Sequence, residues 1–228
     1  MDLFGNQNKI LREVYFLKQN PLAEHLVVPS NPERTNLFRL IAGVTGASGS
    51  IYGWRLLEKL RAHKNIEVHL IVSRAGGRTA FLELGKQAAD FRALADCWYP
   101  VEDISSRLSS GSFRADAMVI APCSIHTMSS IAAGISSNLM IRAADVTLKQ
   151  RRPLVLMVRE TPLHLGHLRS LAALAEMGAT IAPPVPAFYT HPRSVLELVD
   201  DTVDGVLDLL GLAGEERRRW DGPTKGTK

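Results

Sequence analysis

The sequence predicts an α/β fold, a parallel sheet between two layers of helices, and three observations predict it. Strand-like and helix-like segments alternate from residue 37 to residue 213. The strand-like segments are near-continuous apolar runs, the pattern of a sheet covered on both faces rather than one half open to water. A glycine-rich turn, GVTGASGSIYG at 43–53, joins the first strand to the first helix. In such sheets ligands bind at the carboxyl ends of the strands, and most of the unusual motifs of this chain fall at such ends.

The elements follow in order. LFRLIAGV (37–44) reads as a buried strand and 50–63 as a helix. IEVHLIVS (66–73) is the next strand, and 75–95 is largely helical. AMVIAP (117–122) is a strand followed by helical segments within 124–151, and PLVLMVR (153–159) is another strand. In ETPLHLGHLRSLAALAEMG, Thr161 is the expected cap, Pro162 the expected first helical residue and Gly178 the stop. ATIAPP (179–184) is a short last strand, and SVLELVDDTVDGVLDLLG (194–211) is an amphipathic closing helix. Residues 1–36 read as an extension, with one helix in ILREVYFLKQN and then breakers, and 214–228 as a polar tail. The domain proper is 37–213.

A net charge of +4 suits an anionic small molecule. The basic clusters KQRRP (149–153) and ERRRW (216–220) are short and are not interleaved with several aromatics, which argues against nucleic acid as a partner. Two cysteines, Cys97 and Cys123, make no disulfide framework, so the expected compartment is the cytoplasm. The start of the chain lacks the apolar core of a signal peptide. No apolar run approaches the roughly 18 residues of a membrane span.

The glycine turn is spaced Gly46-x-x-Gly49-x-x-x-Gly53, and the second strand ends in Ser73–Arg74 rather than in an acid. Both features argue against a dinucleotide and suit a mononucleotide phosphate, with Ser48 near a helix start and Ser73 beside it. APCSIHTMSS (121–130) sets Ser124 and Thr127 at a second helix mouth, and SSGSF (109–113) is a second small loop. Arg142, Lys149, Arg159, Glu160 and Tyr189 fall beside strand ends or caps, and they are expected around one sheet edge. Each also has an ordinary reading. Arg142 and Lys149 share a helix face where a salt bridge would suffice, and Glu160 would complement a helix dipole. His164 and His167 lack a third ligand for a metal. Cys123 suits core packing, and no G-x-S-x-G elbow is present.

Four blocks carry a family resemblance: GVTGASGSIYGWRLLEKL, SSGSFRADAMVIAPCSIHT, RAADVTLKQRRPLVLMVRETPLHLGHLRSL and PPVPAFYTHPRSVLELVDDTVDGVLD. Together they resemble the flavin prenyltransferases, the UbiX-like proteins, over roughly residues 37 to 220. The resemblance implies a flavodoxin-like or Rossmann-like three-layer sandwich, assembled as a homododecamer. It implies an enzyme, metal-independent, that joins a dimethylallyl group from dimethylallyl monophosphate to N5 and C6 of reduced FMN. The prenylated FMN would then serve a UbiD-like decarboxylase of a ubiquinone-type or aromatic-acid pathway. By motif, Gly46, Ala47, Ser48, Ser73, Ser124, Ile125, His126, Thr127 and Arg159 would hold FMN. Ser48, Glu83, Arg142 and Glu160 would be catalytic. Ser110, Lys149, Tyr189 and Trp220 would meet the prenyl phosphate or prenyl group. The chain departs from the family's pattern at His126, where related sequences have Lys, and at Gly205, where the family has a phosphate-gripping Arg. Two alternatives stand beside this reading: an FMN-dependent decarboxylase of peptidyl cysteine, and a non-catalytic FMN-binding or flavin-delivery subunit.

Overall fold

The computed structural model describes residues 37–212 and Gly222. The helix expected in the N-terminal extension, the tail and Trp220 lie outside the described residues. β1 (Phe38–Val44), β2 (Ile66–Val72), β3 (Cys97–Pro100), β4 (Ala117–Cys123), β5 (Leu154–Val158) and β6 (Thr180–Ile181) form one sheet in the order β3-β2-β1-β4-β5-β6. Every pairing is parallel. The chain builds outward from β1 in one direction, then returns and builds outward from β4 in the other. The switch between β1 and β4 opens a crevice at their carboxyl ends, where such sheets take their ligands.

Alternate residues of each strand feed opposite faces. Leu40, Ala42, Val68, Leu70, Val119 and Val155 pack under α1 (Ser50–Arg61), α2 (Arg74–Leu84), α3 (Ala88–Arg92) and α7 (Val195–Leu209). Ile41, Ile71, Met118, Ile120, Leu154 and Leu156 pack under α4 (Ile125–Ala132), α5 (Leu139–Lys149) and α6 (Leu165–Glu176). This is the three-layer sandwich expected from the sequence. Arg55–Asp200 (2.7 Å) and Lys59–Asp204 (2.8 Å) join α1 to α7 on the first face.

Three expectations are corrected. The helical stretch 75–95 breaks at Gly85, whose φ of 65° ends α2, and α3 restarts from a capping box on Gln87. β3 was not expected. Its four residues CWYP are too few to show periodicity, and pairing with β2 from His69↔Cys97 to Val72↔Pro100 makes them a strand. Pro100 sits at its end on the sheet edge, where a missing N–H is tolerated. The helix expected from Pro162 begins at Leu165. His164 caps it, its Nδ1 accepting from the N–H groups of Gly166 (3.0 Å) and His167 (3.4 Å), so Thr161 and Pro162 belong to the preceding loop.

Candidate functional site

Two helix mouths open onto the switch point, one from each face of the sheet. The first is the glycine turn. Gly49 has φ 98°, a conformation that suits glycine, and a Cβ on Gly53 would stand 2.4 Å from the carbonyl oxygen of Ala121. Those two glycines let the chain turn and let α1 lie against β4. Glu83 reaches across from α2. Its carboxylate accepts from Gly49 N–H at 3.0 and 3.1 Å and from Ser50 N–H at 2.8 Å, and Ser48 also donates to it. Burial pushes the Glu83 carboxyl up, but the hydrogen bonds from Ser48, Ser50 and Gly49 outweigh it and hold the group below its ordinary value. The mouth of α1 is therefore filled by the chain's own anion.

The second mouth is that of α4. Ser124 caps it, accepting from Thr127 N–H at 3.3 Å and donating to Thr127 Oγ1 at 3.2 Å. The N–H groups of Ile125 and His126 have no acceptor among the described residues. Thr45, 1% exposed, couples the two mouths: its hydroxyl donates to Pro122 O (2.7 Å) and accepts from Ser124 N–H (2.9 Å). Ser73 caps α2 through Gly76 N–H at 2.9 Å, and its own N–H bonds Val44 O at 2.9 Å. Arg159 N–H bonds Cys123 O at 3.0 Å, and its guanidinium charge acts on the half-buried Tyr52 phenol of α1. The residues expected to hold flavin thus converge at the carboxyl ends of four adjacent strands, β2, β1, β4 and β5. Thr45 and Tyr52 join them. Neither is signalled along the chain beyond a hydroxyl and a ring near the glycine turn.

The residues expected to meet the substrate phosphate divide between the two faces rather than sharing one sheet edge. Arg142, on α5, donates from Nε to Ser109 O (3.3 Å) and pairs with Asp145 one turn on (2.6 Å), the helix-face salt bridge of its ordinary reading. Ser110 Oγ lies 2.8 Å from Ser112 Oγ in the same loop, whose Gly111 and Phe113 carbonyls accept from Arg152. Lys149 is exposed at the last turn of α5, just ahead of the amino end of β5 and away from the strand carboxyl ends. Tyr189 belongs to the other face. It lines a cavity of about 340 Å³ beside α7 together with Gly205, Asp201 and Asp208, and among the described residues that line it there is no Lys or Arg. Glu160 is exposed, its carboxylate accepting from Thr161 N–H at 3.0 Å, and it stands in a loop rather than at a helix start.

Among the described residues no group of three or more His, Cys, Asp or Glu is placed to hold a metal ion. The rings of His164 and His167 stack with centroids 3.5 Å apart. Cys123 is fully buried, and burial pushes its thiol up, which leaves it a packing group. No helix among the described residues is long and apolar enough to cross a membrane.

A protein-family model described as Flavoprotein matches residues 29–210. The flavin prenyltransferase UbiX of Escherichia coli K12 is 51% identical over 186 residues, which are 81% of this chain and 98% of that protein. A crystal structure described as a dodecameric FMN-dependent UbiX-like decarboxylase from Escherichia coli O157:H7 superposes with a TM-score of 0.79 at 46% identity, covering 81% of this chain and 100% of that one. AnUbiX, solved with FMN and dimethylallyl pyrophosphate, gives a TM-score of 0.80 at 42% identity over 82% and 99% of the two chains.

Proposed function

The chain belongs to the UbiX-like flavin prenyltransferases, within the Flavoprotein family, and from that premise we propose how its own residues carry the reaction. The observation that carries the proposal is the open mouth of α4 beside the filled mouth of α1. FMN fits there. Two N–H groups without acceptors and the positive end of a helix suit a phosphate, and the hydroxyls of Ser124 and Thr127 flank them. When bound in reduced form, FMN supplies the nucleophilic ring atoms N5 and C6.

Ile125, His126, Ser124 and Thr127 hold the flavin phosphate, and Gly46, Ala47, Ser48, Ser73 and Arg159 orient the rest of the molecule. Glu83 holds Ser48 and the turn in place through Gly49 and Ser50, which makes it a positioning residue. The carbon–oxygen bond to the dimethylallyl phosphate breaks, and negative charge grows on the leaving phosphate. Arg142, Lys149, Ser110 and Tyr189 stabilise that charge. Ring closure adds a proton to the prenyl double bond and removes one from C6, and Glu160 or the departing phosphate carries that proton.

Those phosphate-binding groups lie on opposite faces of one chain, and Phe188, Val195 and Leu165 are 70%, 76% and 60% exposed. Apolar side chains so exposed fit a chain that assembles, and a dodecameric relative is described. We infer that neighbouring copies bring the two sets together, and that a UbiD-like decarboxylase consumes the product.

Reduced FMN and dimethylallyl monophosphate are incubated with the protein, and the flavin is weighed by mass spectrometry. The expected product is FMN plus one dimethylallyl unit. Glu160→Gln should bind FMN normally and turn over about 100-fold more slowly; full activity would remove Glu160 from the proton path. Gly205, which stands where the family pattern has a phosphate-gripping Arg, favours one rival: a subunit that binds flavin without transferring the prenyl group. Unmodified FMN in the same assay would establish it.

A further inference from the structure

A buried polar chain on the β2–β3 edge has no part in the scheme above. His69, in β2, is fully buried, and Tyr99, in β3, is 6% exposed. His69 Nδ1 lies 3.0 Å from Tyr99 Oη, and Arg107 Nε donates to the same oxygen at 2.9 Å. Arginine can only donate, so Tyr99 accepts from Arg107, and its own proton faces His69 Nδ1 and the Cys97 sulfur. Burial and the nearby Arg107 and Arg39 charges push His69 down to about 4, which keeps the ring neutral and one of its nitrogens an acceptor. His69 Nε2 is buried without a hydrogen-bond partner among the described residues, with Glu67 Oε1 3.8 Å away. Phe113 closes the cluster: its ring meets His69 edge-on at 5.0 Å and carries the Arg107 guanidinium at 5.2 Å.

Arg107 opens a 3-10 turn, Arg107–Ser109, and Phe113 lies at the far end of the same loop. Both ends of the loop therefore rest on one His–Tyr pair. Between them stand Ser109, whose carbonyl accepts from Arg142, and Ser110. Leu108, 1% exposed, anchors the turn but carries no directional bond through its side chain. Arg107 supplies the direction.

We propose that Arg107 is a positioning residue for the substrate phosphate, acting through the hydrogen-bonded chain Arg107–Tyr99–His69 to hold the 107–113 loop where Ser109 fixes Arg142 and Ser110 is presented. The proposal rests on the reading of Arg142 and Ser110 as phosphate-binding groups. Its test uses the full-length protein carrying Arg107→Met, which keeps an apolar stem at an exposed position, and Tyr99→Phe, which removes one oxygen. Each should raise the KM for dimethylallyl monophosphate about 5-fold. FMN affinity and kcat should stay within about 2-fold, and amide hydrogen exchange across 109–112 should quicken. The double variant should match the single ones, because one chain of bonds is broken either way. Arg142→Ala is the reference. If it raises KM while Arg107→Met and Tyr99→Phe leave both KM and exchange unchanged, the positioning role is wrong and the phosphate site stands. If Arg142→Ala leaves KM unchanged as well, the phosphate site itself is misassigned and the proposal falls with it.

Discussion

The mouths of α1 and α4 are built alike and used differently. Each follows a strand at the switch point, each starts from a turn of small residues, and each presents N–H groups to the same crevice. At α1 the Glu83 carboxylate takes the N–H groups of Gly49 and Ser50. At α4 the N–H groups of Ile125 and His126 have no acceptor among the described residues. In the glycine-rich turn, the more conspicuous motif, a carboxylate of the chain already takes two N–H groups, whereas no carboxylate reaches the plainer CSIHT segment among the described residues. A helix N-terminus attracts an anion whatever its source. Which mouth remains for the ligand depends on whether the fold carries a carboxylate of its own to the other.

The strongest way to break this contrast is to close the open mouth. Ser124→Asp keeps a good capping residue, so α4 should still form. A carboxylate beside the FMN phosphate should weaken FMN binding about 100-fold or more, read by flavin fluorescence titration. Unchanged affinity would mean that the phosphate lies elsewhere.

Next in size is the link between the mouths. Thr45→Val keeps shape and removes the hydroxyl, which leaves Ser124 N–H without its partner, while Pro122 O keeps only the backbone N–H of residue 45 at 3.3 Å. The cost should be about 2 kcal/mol, a fall in Tm of about 4–8 °C, with weaker FMN binding as α4 shifts. A loss of stability with FMN affinity intact would show that the mouths are independent.

A smaller change partly empties the filled mouth. Glu83→Gln removes the charge but keeps one acceptor oxygen, and should cost about 1 kcal/mol, with FMN affinity within about 2-fold. A large loss of FMN binding here would make Glu83 part of the flavin site.

The smallest effect is on acid stability. Glu83 is held below its ordinary value, so its contribution is present above the unfolded carboxyl pKa, about 4.3, and is lost as pH falls through the lower folded value. Thermal melts of wild type and Glu83→Gln should therefore differ at pH 6 and converge in that acid range. A constant difference would place the effect of Glu83 in packing rather than charge.

By itself the sequence determined the layer architecture and most element positions, because runs such as LVLMV and AMVIAPC are apolar throughout and only a sheet covered on both faces buries them. It determined that Ser73, Ser124 and Arg159 fall at strand carboxyl ends, because strand ends are local signals. What only the tertiary structure decided depends on partners distant in the chain. CWYP is a strand because β2 lends it an edge. His164 rather than Thr161 caps α6 because its ring nitrogen reaches two amides. Glu83 closes the α1 mouth across 33 residues of chain, and Thr45 bonds Ser124 across 79. Ser110, Arg142 and Lys149 fall on one face and Tyr189 on the other because sheet order, not sequence order, assigns faces. Periodicity along the chain reports what each residue buries; it carries no record of which distant group completes a hydrogen bond.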